Sequence, residues 1–428
     1  MTMRGKAPWP RLLAMLACSP SLLLSVATSG DEMPPSRRLE LADGFRAGVV
    51  PVTLSAERSR WRPTARLDDP EADIELPTDT IVRWGACPPW PQGPIVLLAD
   101  GGAIAGRVVA ADATTVIVAS TTFGRLTLPA AAVGGVRAGA VPGPGRLVPD
   151  AAQGDQQHRV LLANGDRVAA RRIEWHDGAV VVELASRPPA SATVAIPEEV
   201  VRAIDFTAST EPSGGAGRPP RILAAFMDGS RFAIAGLEPA TRASGVPRIR
   251  LALRLGGTAM AMECDADELL AIAVDGGRAS FLASLAPSAY EQTAEFGPVW
   301  PLARGHASAG DWPSLRGETA FTALGIHAPA RVRYRLEKPA TRFESRVAID
   351  DSAGAGGSVI VRLLAGGDAG AGREVFSTPV LRGGEEPATI RVEFPATTEL
   401  ELVVEPSDGG DILDRTLWLD PLVVGAGQ

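Results

Sequence analysis

Ile95-Val96-Leu97-Leu98-Ala99-Asp100-Gly101-Gly102-Ala103-Ile104-Ala105-Gly106-Arg107-Val108-Val109 decides the fold. Two short apolar runs flank an Asp-Gly pair, and that pair supplies the positive φ angles that a tight hairpin turn requires. The chain continues through Thr115-Val116-Ile117-Val118 and Phe123-Gly124-Arg125-Leu126-Thr127-Leu128-Pro129 to Val133, all at strand length and with strand-type residues. The same arrangement recurs. Its turns are Asp43-Gly44, Asp100-Gly101, Asn164-Gly165 and Asp228-Gly229, spaced by 57, 64 and 64 residues. An apolar-Pro step before Val or Ile closes the first three repeats: Leu76-Pro77 with Ile81-Val82, Leu128-Pro129 with Val133, and Ile196-Pro197 with Val200-Val201. The fourth departs, Met262-Glu263-Cys264 leading to Leu269-Leu270-Ala271-Ile272. This pattern predicts four diverged strand-rich units, SH3-like or half-barrel, at 36–86, 94–138, 157–207 and 220–276. Units of roughly 50 residues bury little surface alone, so they are expected to pack side by side or share strands.

Composition agrees with an all-β chain. The 428 residues exceed one ordinary domain. A hydrophobic share of 45% against 21% charged residues is enough to build cores. Forty-six Gly and 36 Pro, with few apolar runs of helical period, favour short strands joined by turns. The formal charge of -8 repels phosphate backbones, which argues against nucleic acid as a partner.

Residues 1–29 read as a signal peptide: Arg4, Lys6 and Arg11, an apolar stretch from Leu12 to Val26, and small residues at Ser25-Val26-Ala27. Export to the periplasm, the cell surface or the medium is the expectation, with lipidation at Cys18 as an alternative. No later run of about 18 apolar residues suggests a transmembrane segment. Cys87 and Cys264 read either as one disulfide or as two separate thiols.

Catalytic signatures are lacking in the sequence. The four histidines, His158, His176, His306 and His327, form no His-x-x-x-His pair, and there is no Gly-x-Ser-x-Gly elbow or phosphate-binding glycine loop. Asp350 and Asp351 are adjacent, so on a strand they point to opposite faces and do not flank one glycosidic bond. The chain is therefore read as non-enzymatic.

A set of short pieces occurs in order toward the end of the chain. Gly325-Ile326-His327 precedes an alternating strand from Ala328 to Leu336, and Ile349-Asp350-Asp351 opens a glycine-rich turn. Ser358 to Leu364 and Arg373 to Phe376 read as a strand pair, followed by period-two strands Thr389 to Phe394 and Glu399 to Glu405. Asp414-Arg415-Thr416-Leu417-Trp418-Leu419-Asp420 closes the set, and Val299-Trp300-Pro301 lies upstream of it. In this order the pieces resemble the NPCBM carbohydrate-binding module first noticed on glycosidases. The resemblance implies a galactose-binding-like jelly-roll β-sandwich over 280–425 that binds a glycan through loops at one edge. Carried over by position, it makes His327, Asp350, Trp418 and Asp420 the candidate carbohydrate contacts. Arg415 and Leu417 stand where the family usually has His and Asp. Trp418 has the right chemistry for the apolar face of a sugar, with burial in the core as the alternative.

Asp351, Asp411 and Asp414 are candidate ligands for a structural calcium ion, the alternative being solvated acidic turns. The resulting expectation is an exported, non-enzymatic, carbohydrate-binding protein. Its rival is a structural or protein-interaction component of the cell envelope, with the β-repeats as surfaces for protein partners.

Overall fold

Each of the four Asx-Gly pairs makes the same turn. Gly44, Gly101, Gly165 and Gly229 have φ of 88°, 91°, 91° and 87°, a region that a Cβ disfavours. At each turn the Asx side chain accepts a hydrogen bond from the amide two residues on, that of Phe45, Gly102, Asp166 or Ser230, at 2.9 or 3.0 Å. The amide preceding each pair, in Ala42, Ala99, Ala163 and Met227, donates at 2.7 to 2.9 Å to the last carbonyl of a 3-10 turn. Those turns are Thr78–Thr80, Ala130–Ala132, Glu198–Val200 and Ala266–Glu268. Pro77, Pro129 and Pro197 introduce the first three, where a missing amide costs nothing, and Asp265 introduces the fourth.

The structure is a computed structural model and describes residues 37–91, 93–138, 157–185, 192–206, 220–241, 246–295, 297–310, 312–367 and 372–425. The expected signal peptide with Cys18 and the segments 139–156 and 207–219 between the expected units fall outside them. Among the described residues there is no α-helix.

Unit 1 comprises β1 (Arg38–Leu41), β2 (Arg46–Ser55), β3 (Arg58–Pro63), β4 (Ile74–Pro77) and β5 (Ile81–Gly85). Unit 2 comprises β6 (Ile95–Leu98), β7 (Ala103–Ala105), β8 (Arg107–Ala111), β9 (Thr115–Ser120), β10 (Gly124–Pro129) and β11 (Val133–Arg137). Unit 3 has β12 (His158–Leu162), β13 (Arg167–His176), β14 (Ala179–Leu184), β15 (Thr193–Pro197) and β16 (Val201–Asp205). Unit 4 has β17 (Arg221–Phe226), β18 (Arg231–Ile234), β19 (Gly236–Thr241), β20 (Pro247–Leu255), β21 (Thr258–Asp265) and β22 (Leu269–Asp275). In every unit the first strand pairs antiparallel with the last, curling the sheet on itself.

The units pair out of sequence order. Unit 1 joins unit 4 through β5–β22 and β2–β19. Unit 2 joins unit 3 through β11–β16 and β8–β13. Corresponding strands are used in the two pairs, and units 2 and 4 meet where Ala103 of β7 opposes Arg231 of β18. Their inward residues make one continuous core, from Trp61 and Trp84 through Val118 and Val180 to Phe226 and Leu251.

The last part of the chain adds β23 (Ala279–Phe281), β24 (Ala289–Gln292), β25 (Ala303–Arg304), β26 (Ser314–Leu315), β27 (Glu318–Thr319) and β28 (Ala323–His327). It continues with β29 (Ala330–Ile349), β30 (Ser358–Ala365), β31 (Arg373–Ser377), β32 (Leu381–Arg382), β33 (Ala388–Pro406) and β34 (Arg415–Gly425). Segments that read as separate short strands in the sequence are joined: β29 runs for 20 residues and β33 for 19. Both change register near Ala340 and Thr397, beside Pro339 and Pro395, so one half of each strand serves each layer of a β-sandwich. One layer carries β24, the first half of β29, the second half of β33, β30 and β31. The other carries the remaining halves with β34, β28, β25 and β23. Val332, Val361 and Leu402 from the first layer meet Phe343, Ile326 and Trp418 from the second in the core between them.

The sandwich is also fixed to the repeat units. Phe281, Leu422 and Val424 share a buried cluster with Ala42 and Val82 of unit 1 and Ala273 of unit 4. Cys87 and Cys264 are free thiols, so the disulfide alternative is not the one formed, and burial pushes both up to about 12.

Candidate functional site

One end of the sandwich gathers the ends of three strands: β28 stops at His327, β29 at Ile349, and β34 starts at Arg415. The Ala328 amide donates to the Asp414 carbonyl at 2.9 Å and the Asp350 amide to the Arg415 carbonyl at 2.7 Å, which ties these ends together.

His327 lies nearly parallel to the indole of Trp300, with ring centroids 5.1 Å apart and 8° between planes. Its Nδ1 is 2.7 Å from the Ala328 carbonyl oxygen. A carbonyl oxygen only accepts, so Nδ1 carries the proton, and in the neutral ring Nε2 is left as an acceptor. Burial lowers the pKa of His327 from its ordinary value, which keeps the ring neutral near pH 7. Arg415 stands directly across from it in the β28–β34 ladder.

Trp300 is half-buried and positioned from behind. The Gln292 side-chain oxygen accepts from its amide at 3.0 Å, and Tyr290 Oη donates to its carbonyl at 2.8 Å. Asp411 Oδ2 accepts from the Glu295 amide at 2.7 Å, fixing the acidic loop against the same segment. Val299, next to Trp300 in the chain, is 64% exposed, and Ile412 (61%) and Leu413 (39%), which follow Asp411, also present apolar side chains to solvent. Gln292 Nε2 and Arg415 Nε are buried and make no hydrogen bond in the structure. An aromatic ring and exposed apolar side chains together make a surface able to hold an amphipathic ligand such as a sugar.

The sequence-predicted contacts do not all belong here. Asp350 is buried and caps the turn that follows it, Oδ1 accepting from the Ser352 amide at 2.8 Å, so it shapes the loop. Trp418 is fully buried. Its Nε1 donates to Thr416 Oγ1 at 3.2 Å, and its ring meets Phe343 edge to face at 6.3 Å. It offers no face to a ligand, because period two places Trp418 on the inner face of β34 together with Thr416. Asp420 lies in the opposite direction, toward the repeat units. Its Oδ1 accepts from the Thr322 amide at 2.9 Å. Burial first of all raises its carboxyl to about 6, against the opposing pull of that amide, Arg83 and Arg231.

The calcium set does not converge either. Among the described residues no three His, Cys, Asp or Glu side chains come together as a metal site. Asp351 accepts from the Arg316 amide at 2.8 Å. Asp414 is fully buried, accepts from the Ser358 amide at 2.6 Å through Oδ1 and is raised to about 6 by burial. These carboxylates serve as caps for backbone amides, the work of a loop-forming Asp. The sequence points to Trp300 only through its Val299-Trp300-Pro301 segment and to Gln292 not at all.

The NPCBM/NEW2 family model matches residues 280–424. This part of the chain is an NPCBM domain. The match begins within β23 and ends in β34. A protein of Renibacterium salmoninarum named as an endo-alpha-N-acetylgalactosaminidase is 30% identical over 112 residues, 26% of this chain and 7% of that one. The chain thus spans under a tenth of that relative's length. Among solved structures, the CBM51 of Clostridium perfringens GH95 in complex with methyl-galactose is 18% identical. That comparison covers 34% of this chain and 99% of the other at a TM-score of 0.30. CBM51-2 and the INT domains of Clostridium perfringens ZmpB, in complex with GlcNAc, are 17% identical over 42% and 37% of the two chains at 0.30. The tandem CBM51 modules of Sp3GH98 from Streptococcus pneumoniae SP3-BS71 are 11% identical over 63% and 88% at 0.29.

Proposed function

We propose that the protein is an exported, non-enzymatic glycan-binding protein whose NPCBM domain holds a sugar at the sandwich end built by Trp300 and His327. The Trp300–His327 stack, with exposed Val299 beside Trp300 in the chain, carries this reading. The indole supplies apolar area for the C–H face of a pyranose. His327, itself only 5% exposed, offers the free acceptor Nε2 to one hydroxyl. A galactose-configured ligand follows from the family resemblance, and the name of the Renibacterium relative adds N-acetylgalactosamine to the sugars worth testing first.

Titration of the full-length protein with galactose, N-acetylgalactosamine and N-acetylglucosamine tests the reading. Saturable binding that disappears in Trp300→Ala, with the melting temperature kept, supports it. Absence of saturable binding on a glycan array would instead favour a structural role in the cell envelope. Hydrolysis of a glycan by the purified protein would overturn the non-enzymatic assignment.

A further inference from the structure

The seam between unit 1 and the sandwich holds a cluster that the proposed sugar site does not use. Two buried carboxylates lie at its floor, Glu40 on β1 and Glu344 on β29, each no more than 5% exposed. Four guanidiniums share them. Arg46 and Arg83 reach Glu40 at 2.8 Å, and Arg391 reaches it at 3.0 Å. Glu344 is met by Arg342 at 2.8 Å, Arg83 at 2.9 Å and Arg391 at 3.1 Å. Residues distant in the chain therefore converge: β1, β2 and β5 on one side, β29 and β33 on the other.

The outward half of this cluster is open. The side chains of Arg46, Arg83 and Arg391 are 45%, 40% and 39% exposed, while Arg342 is buried and its Nη2 makes no hydrogen bond. Each guanidinium carries five donors, and the two carboxylates consume only a few of them. The buried glutamates also fix the forks in place, so a ligand need not pay to order them. The four guanidiniums outnumber the two glutamates they meet. Although burial acts to raise it, Arg83 together with hydrogen bonds from Arg46 and Arg391 brings the Glu40 carboxyl down to about 2. Asp420 is a third carboxylate whose charge reaches Arg83, but its oxygen is taken by the Thr322 amide. Phe45, 44% exposed, stands on the turn next to Arg46, and a Cβ placed on Gly44 would lie 3.9 Å from Arg391 Nη2.

We propose that this seam is a second binding site, for an acidic saccharide: the Arg46, Arg83 and Arg391 guanidiniums take its carboxylate or sulfate and Phe45 takes the sugar ring. Guanidinium forks match the geometry of such oxyanions, and an adjacent aromatic face is the complement of a pyranose. The saccharide part rests on the glycan-binding reading above, whereas the oxyanion part stands on the cluster alone.

The experiment is calorimetric titration of the full-length protein with a galacturonic acid oligosaccharide, a sulfated galactose oligosaccharide and inorganic sulfate. At least one acidic oligosaccharide is expected to bind, with affinity falling tenfold or more in Arg391→Gln and steeply with added salt. Phe45→Ala leaves the ion network intact, and it should weaken the oligosaccharide at least threefold. Trp300→Ala should leave this binding unchanged, which separates its failure from failure of the neutral-sugar site. Inorganic sulfate binding as tightly as either oligosaccharide, with no effect of Phe45→Ala, would overturn the saccharide and leave a free-anion site. Absence of binding by every probe, or equal affinity in wild type and an Arg391→Gln variant of unchanged melting temperature, would overturn the site altogether.

Discussion

Trp418→Ala separates a core role from a ligand role at the residue that the sequence left open. The indole is fully buried, so truncation removes a large apolar surface and leaves a cavity beside Phe343. Substitutions of this kind cost about 3–5 kcal/mol. Thr416 Oγ1 loses the Nε1 donor but keeps its own bond to the Ile326 carbonyl at 2.9 Å, so no buried donor is orphaned and the cavity dominates. For a domain of 150–250 residues each kcal/mol shifts the midpoint by about 2–4 °C, which gives a fall on the order of 10 °C. Scanning calorimetry of the full-length protein, followed by near-ultraviolet circular dichroism, reads it directly. Trp418→Phe should recover much of the loss by refilling the space. A Trp418→Ala protein that melts within about 1 °C of the parent, yet no longer binds sugar, would refute the packing argument.

Because the Glu40 carboxyl is lowered from 4.5 to about 2, its contribution is fully present above pH 4.5 and is lost as pH falls toward 2. That is about 3 kcal/mol at most, visible as a steeper acid limb in urea melts than Glu40→Gln shows. His327 has a lowered pKa and accepts through Nε2 only when neutral, so sugar affinity should hold at pH 7 and decline as pH falls below the ordinary histidine range. Titrations at stepped pH check this, and a His327→Gln variant should flatten the profile. Gly85→Ala should lower the melting temperature, since a Cβ there lies 1.9 Å from the Leu270 carbonyl oxygen and φ is 76°. The backbone strain alone is about 1–2 kcal/mol, and parting β5 from β22 adds to it. Chelation with EDTA should leave the melting temperature unchanged, because the acidic side chains cap amides instead of converging; a fall of several degrees would restore calcium.

What the sequence made legible is what short-range chemistry determines. Asp43-Gly44 and its three counterparts need only their own side chains and a glycine at positive φ, so four hairpins were readable from dipeptides. The period-two pattern likewise identified β30 and most of β33. Continuity was not readable, because Pro339 and Pro395 look like ends when they mark places where β29 and β33 pass from one layer to the other. Trp418 was ambiguous for a similar reason: alternation says that it shares a face with Thr416, not which face is inside. The Trp300–His327 stack joins a loop to a strand end, and the Glu40–Arg391 pair joins unit 1 to the sandwich. No local rule connects residues so far apart, so the fold class is legible in the sequence and the composition of either site is not.

The pairing of unit 1 with unit 4 has a consequence for how the chain is made. As synthesis proceeds, β5 emerges with its outer edge bare, and the strand that covers it, β22, begins only at Leu269. Units 2 and 3, which pair with each other, come off the ribosome in between. At about 5–20 residues per second the wait is on the order of ten seconds or more. During that time Ile81, Val82 and Trp84 belong to an unfinished sheet, and neighbouring nascent chains offer it the wrong partner. Expression should therefore be limited by aggregation of N-terminal fragments, and a holdase chaperone acting on the first half of the chain should raise the yield more than any gain in native stability.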